Sequence, residues 1–180
     1  ATWDENITVA VNLSARQLLD PDLVENVRLA LEGSGIAPCR LELEITESAL
    51  IQNTLLAIAV LNDLKAIGVQ IALDDFGTGF SSMSHVQIFP FDRIKIDRSF
   101  VAAMNADRKS RAIVESIIHL AHALKIPVVA EGVETEDQAA ALARLACEEL
   151  QGYLIARPQP LNIEQNWSGQ PIGASSLDAA

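Results

Sequence analysis

Two adjacent carboxylates, Asp74 and Asp75, close the apolar run Ile71-Ala72-Leu73 and open straight into a glycine-broken loop, Phe76-Gly77-Thr78-Gly79. Adjacent anions repel, so a fold that gathers them at a strand end usually supplies a cation between them. If that cation is a pair of divalent metals, the residues form a phosphate-cleaving centre.

Other apolar runs also finish in residues able to do chemistry: Asn12, Glu44, Lys95 with Asp97, Glu131 and Gln151. The steps from Asn12 through Glu44, Asp74, Lys95 and Glu131 to Gln151 are 32, 30, 21, 36 and 20 residues, roughly one β-α unit each. Carboxyl ends of parallel strands share one face, so these side chains would surround a common hole. A lone Asn or Glu at a strand end is ordinarily a helix cap or a solvated loop residue. Six such ends in succession are harder to attribute to capping. Oxygen donors without His or Cys among them favour Mg²⁺ or Mn²⁺ over Zn²⁺. His85, His119 and His122 fall in helix or loop contexts and read as structural or surface residues. Gly77-Thr78-Gly79 lacks the third glycine of a dinucleotide fingerprint, and its glycines read as hinges of a sharply turning loop.

The elements that must position these residues follow from apolar period and punctuation. Strands are expected at Ile7–Val11, Leu41–Thr46, Val69–Leu73, Arg93–Ile96, Pro127–Ala130 and Glu149–Ile155. Asp20-Pro21 is expected to start a helix that Gly33 stops, and Asn53 to cap a second that Gly68 ends. A long helix is expected over about Asp107–Leu124, and Thr135 with Gln138 forms a capping box for a last one running to about Ala146. Regular alternation implies a parallel sheet with helices packed outside it. One domain over residues 1–160 is expected, followed by a weakly ordered tail over 161–180.

Composition bounds the function. A chain of 180 residues, 49% hydrophobic and 21% charged, suits one globular domain. Its net charge of −11 argues against DNA or RNA as partner, because phosphate backbones are held by an excess of Lys and Arg. Metals bridging two sets of negative charge would still admit a small phosphorylated ligand. Cys39 and Cys147 are far apart and read as reduced, partly buried thiols. Neither a membrane-length apolar run nor a secretory leader is evident, so the location expected is cytoplasmic, with membrane tethering of a parent protein left open.

Six segments together resemble the EAL-domain family of cyclic di-GMP phosphodiesterases. They are Val11-Asn12-Leu13-Ser14-Ala15-Arg16-Gln17, Leu43-Glu44-Ile45-Thr46-Glu47-Ser48, Asp74-Asp75-Phe76-Gly77-Thr78-Gly79, Ile94-Lys95-Ile96-Asp97, Ala130-Glu131-Gly132-Val133-Glu134 and Gln151-Gly152-Tyr153. The resemblance covers about residues 3–160. It implies a TIM-like (β/α) barrel and hydrolysis of cyclic di-GMP to linear pGpG. It implies two divalent ions, Mg²⁺ or Mn²⁺, with Ca²⁺ binding but inhibiting. Asn12, Glu44 and Asp74 would hold one metal, and Asp74, Asp75 and Glu131 the second or its water, which makes Glu131 a catalytic residue as well. Lys95 would hold the attacking water and Gln151 would orient the site, while Arg16, Asp97 and Pro158 would contact substrate. Glu47 would anchor the loop Phe76–Ser84, hinged at Gly77 and Gly79, which the family uses in dimerisation and regulation. A homodimer, and sensor or cyclase domains in a parent chain, are implied as partners.

The sequence departs from the family in one respect: the Glu-Ala-Leu motif itself occurs nowhere in it. The resemblance therefore implies an incomplete barrel with about six of eight strands, weakly active or inactive alone. Two other readings compete. One is a non-catalytic cyclic di-GMP receptor, against which the retained acids and Lys95 argue. The other is a phosphoryl-receiver domain, in which the acidic pair should end the first strand rather than the third visible one.

Overall fold

The computed structural model describes residues 7–51, 53–78 and 83–159. The expected tail over 161–180 and the hinge residue Gly79 lie outside the described residues.

Six strands alternate with helices in the order β1 (Val9–Asn12), α1 (Ala15–Leu18), α2 (Leu23–Ser34), β2 (Leu41–Thr46), α3 (Glu47–Ile51), α4 (Thr54–Ile67), β3 (Gln70–Phe76), α5 (Met83–Ile88), β4 (Arg93–Ile96), α6 (Arg98–Ala103), α7 (Arg108–Leu124), β5 (Val128–Glu131), α8 (Glu136–Arg144) and β6 (Glu149–Gln151). The strands lie in sequence order in one sheet, and every neighbouring pair is parallel. This is the expected TIM-like barrel in incomplete form, a curled half-barrel open between β1 and β6 among the described residues.

Each strand sends alternate side chains to opposite faces. Leu43, Ile45, Ile71, Leu73, Ile94, Ile96, Val128 and Ala130 are buried and belong to the hydrophobic core, together with Leu61 and Leu64 of α4, Ile118 of α7 and Leu142 of α8. The intervening positions, including Glu42, Glu44, Arg93, Lys95, Glu131, Glu149 and Gln151, occupy the concave face. Ion pairs from β4 reach both β2 and the far strands, which shows the curl directly.

Local chemistry explains the helix limits. Asn53 accepts a hydrogen bond from the Leu56 N–H, and Gly68 closes α4 in the left-handed region at φ 102°. Asp107 caps α7, and the Thr135–Gln138 capping box starts α8. Expectations at some helix and strand limits need correction. Gly35, not Gly33, ends α2, because Gly35 adopts φ 69° while Gly33 continues the helix. Asp20 does not cap α2 directly: its carboxylate accepts from the Asp22 N–H, forming a turn that delays the helix to Leu23. The short helices α1, α3, α5 and α6 carry no periodic signal in the sequence; none exceeds six residues, too short to display a helical period. The last strand ends at Gln151 rather than Ile155, since the chain turns at Gly152 to return a hydrogen bond from Leu154 N–H to Val133 O.

Candidate active site

β3 carries the acidic pair, and its geometry decides what the pair can do. On a regular strand Asp74 and Asp75 would face opposite sides of the sheet. The β3–β4 register shifts between Leu73 and Phe76, and Asp75 adopts φ 53°. A bulge with a left-handed residue costs an L-amino acid roughly 1–2 kcal/mol, least for Asp and Asn. It turns both carboxylates toward one place: oxygens of Asp74, Asp75 and Glu131 all lie within 4.8 Å of one another.

Lys95 stands at the centre of the cluster. Its Nζ lies 2.6 Å from Glu44 Oε1, 2.5 Å from Glu131 Oε1 and 3.5 Å from Asp74 Oδ1. The Lys95 side chain is only 6% exposed. Burial disfavours its charge, but hydrogen bonds to Glu131 and Glu44 outweigh that and hold the ammonium above its ordinary pKa. Glu131 is nonetheless pushed up, by burial first, with Asp74 and Glu44 adding repulsion that Lys95 does not cancel. Asp75 is raised too, by burial and then by Asp74 and Asp97, with which it shares a hydrogen bond. Both carboxyls are raised by burial first, and the repulsion of neighbouring carboxylates adds to it.

The remaining expected site residues fall into three groups. Asn12 pairs in register with Glu44, and Gln151 with Glu131, so both stand on the concave face flanking the acids. Asp97 caps α6, accepting from the Ser99 N–H at 3.0 Å and from the Ser99 hydroxyl. Arg16 on α1 and Pro158 beyond β6 are exposed, and neither joins the ion-pair cluster among the described residues. Glu47 is buried in the first turn of α3, 4% exposed. Gly77 adopts φ 98°, and a Cβ there would sit 3.1 Å from Phe100 and 3.2 Å from Ile117. His122 pairs with Glu148 at 3.0 Å on the convex side, in keeping with a structural role.

The donor set suits hard divalent cations. All candidate donors are oxygens, and Asp74 Oδ1 is buried with no hydrogen bond, its nearest cation being the Lys95 ammonium at 3.5 Å, which leaves its lone pairs open to a metal. A parallel α/β sheet with clustered acids and a lysine at its strand ends defines the class: a half-barrel with a cation-ready acidic centre.

The family follows from comparison. The chain belongs to the EAL domain family, whose model matches residues 1–158. It is 46% identical over 157 residues to the cyclic di-GMP phosphodiesterase NbdA of Pseudomonas aeruginosa, covering 87% of this chain and 20% of that protein. Among solved structures it resembles the MucR phosphodiesterase in complex with cyclic di-GMP, a protein of the same organism, at TM-score 0.82 and 44% identity, over 85% of this chain and 62% of that one. It also resembles Klebsiella pneumoniae BlrP1 in a manganese–cyclic di-GMP complex, at TM-score 0.78 and 34% identity, over 84% of this chain and 39% of that one. The chain spans about a fifth of the length of the relatives it matches.

Proposed function

We propose that this chain hydrolyses one phosphodiester bond of cyclic di-GMP, releasing linear pGpG, at the acidic cluster on the concave face. The observation that carries the reading is the convergence of Asp74, Asp75 and Glu131 within 4.8 Å beside a buried Lys95. The names of the matched relatives and structures support the substrate.

Asn12, Glu44 and Asp74 would hold one divalent ion, and Asp74, Asp75 and Glu131 a second, Mg²⁺ or Mn²⁺, with Ca²⁺ binding unproductively. Such a pair supplies Lewis acidity at the phosphoryl oxygens and lowers the pKa of water. Lys95 positions the attacking water and offsets charge growing on the phosphate oxygens. Gln151, opposite Glu131, orients the site. Arg16, Asp97 and Pro158 border the substrate. Glu47, on α3, anchors the loop Phe76–Ser84, which Gly77 and Gly79 hinge and which serves dimerisation and regulation. Homodimerisation, a cytoplasmic location and sensor or cyclase domains in a parent chain complete the reading.

Turnover by this chain alone is slow, because among the described residues the sheet is open beside β1 and leaves Asn12 and Val11 exposed at its margin. The test is product analysis with cyclic di-GMP in Mn²⁺ and then in Ca²⁺. Slow pGpG formation in Mn²⁺ alone supports the reading. Binding in both ions without product would instead favour the receptor.

A further inference from the structure

Beneath the acidic cluster the concave face carries a second charged layer. Arg93 Nη1 lies 3.2 Å from Glu42 Oε2, and Arg93 Nη2 lies 2.9 Å from Glu149 Oε1. The three residues come from β4, β2 and β6, so one guanidinium spans the concavity across five strands of the sheet. Its two arms use the fork geometry that lysine lacks.

The register ties this layer to the site above. Glu42 precedes Glu44 by two residues, Arg93 precedes Lys95 by two, and Glu149 precedes Gln151 by two. Strand side chains two apart share a face and stand roughly 6–7 Å apart along it. Each member of the lower layer is therefore the residue directly below a site residue on the same strand. Glu42 is 7% exposed on its side chain, so its carboxylate depends on Arg93 for its main cation partner. The curl of an open sheet is a soft coordinate, since β1 and β6 do not pair with each other among the described residues. The Arg93 bridge, buried at Glu42 and half-exposed at Glu149, restrains it from β2 to β6.

We propose that Arg93, bridging Glu42 and Glu149, is a positioning residue that sets the spacing of Glu44, Lys95 and Gln151 around the acidic centre. The inference rests on the function proposed above. Arg93 acts through the strands and touches neither ion nor substrate.

The test compares Mn²⁺ affinity by calorimetry, pGpG formation and thermal stability in the 180-residue chain and three variants. The double variant Glu42→Gln with Arg93→Met removes the bridge without leaving a buried charge unpaired, a replacement that folds tolerate. It is expected to melt close to the parent yet lose about 10–100-fold in Mn²⁺ affinity and kcat, the usual scale for groups that orient ligands. Arg93→Lys, which keeps the charge but not the fork, falls between. Val101→Ala, buried on α6 and no member of the layer, controls for stability: it lowers the melting temperature and leaves Mn²⁺ affinity unchanged.

Affinity and kcat within twofold of the parent in a folded double variant would overturn the inference while leaving the function intact. Val101→Ala losing as much affinity as the double variant would overturn it equally. A parent that binds Mn²⁺ but makes no pGpG overturns the proposed reaction, and the affinity comparison then still decides the role of Arg93. A parent that binds no Mn²⁺ overturns both.

Discussion

Lys95 Nζ lies 2.5 Å from Glu131 Oε1 across the β4–β5 boundary, placing the lone cation of the cluster against the acid that also faces Asp74 and Asp75. Three carboxylates (Glu44, Asp74 and Glu131) pair with this one ammonium and Asp75 stands beside two of them, so four acids share one cation and three negative charges remain when all are ionised. A protein interior does not hold that excess without further cations or protons. The relationship connects the fold to the proposed chemistry, and the following outcomes are expected from it.

Lys95→Ala removes the ammonium that, in the proposed reaction, offsets charge on the phosphate, while leaving every oxygen donor in place. kcat is expected to fall about 10²–10³-fold, the scale for loss of one stabilising donor. Mn²⁺ affinity, read by calorimetry, should hold or tighten because a competing cation has gone. A greater loss of affinity than of kcat would remove Lys95 from the catalytic role.

Asp75→Asn tests the bulge and the charge separately. Asn tolerates the left-handed conformation that Asp75 adopts at φ 53°, so the melting temperature should stay close to that of the parent. Mn²⁺ affinity should fall at least tenfold through loss of a carboxylate oxygen. Equal affinity in the two proteins would exclude Asp75 as a ligand.

Much of this arrangement is legible in the sequence. The alternation Leu-Glu-Leu-Glu-Ile in β2 and Arg-Ile-Lys-Ile in β4 announces one apolar and one charged face, and the order of strands follows from β-then-α regularity. Asn53, Gly68 and Thr135 with Gln138 mark helix ends because their side chains or φ angles perform the capping themselves. The bulge at Asp75 is not legible, since nothing in Leu-Asp-Asp-Phe distinguishes a straight strand from a shifted register. The pairing of Arg93 with Glu42 and Glu149 is equally hidden. It depends on how far the sheet curls, which arises from the packing of all the strands together.

Gly77→Ala should destabilise the chain by about 1–2 kcal/mol in chemical denaturation, from the left-handed backbone penalty alone. Contacts of the added Cβ with Phe100 at 3.1 Å and Ile117 at 3.2 Å increase the cost. Unchanged stability would show that this stretch relaxes freely away from α6 and α7.

Cys147 offers a pH test that uses none of the candidate metal ligands. Burial pushes its thiol up to about 11, because the thiolate would lose solvation. At pH 8 its thiolate fraction is then on the order of one in a thousand. Alkylation by iodoacetamide, followed by mass spectrometry, should begin at exposed Cys39 and reach Cys147 increasingly as pH rises toward 11. The folded state holds this proton more tightly than the unfolded chain, so its stabilising contribution is complete below about pH 8.5 and is lost as pH rises through 11. Rapid labelling of Cys147 at pH 8 would contradict the burial argument.

The most direct measurement follows cyclic di-GMP and its products by chromatography during incubation with the chain and Mn²⁺. Slow appearance of pGpG is expected, abolished by a chelator, by Ca²⁺ in place of Mn²⁺ and by Asp74→Asn. Cyclic di-GMP bound in Mn²⁺ but left intact, or pGpG formed equally well with Asp74→Asn, would contradict the account.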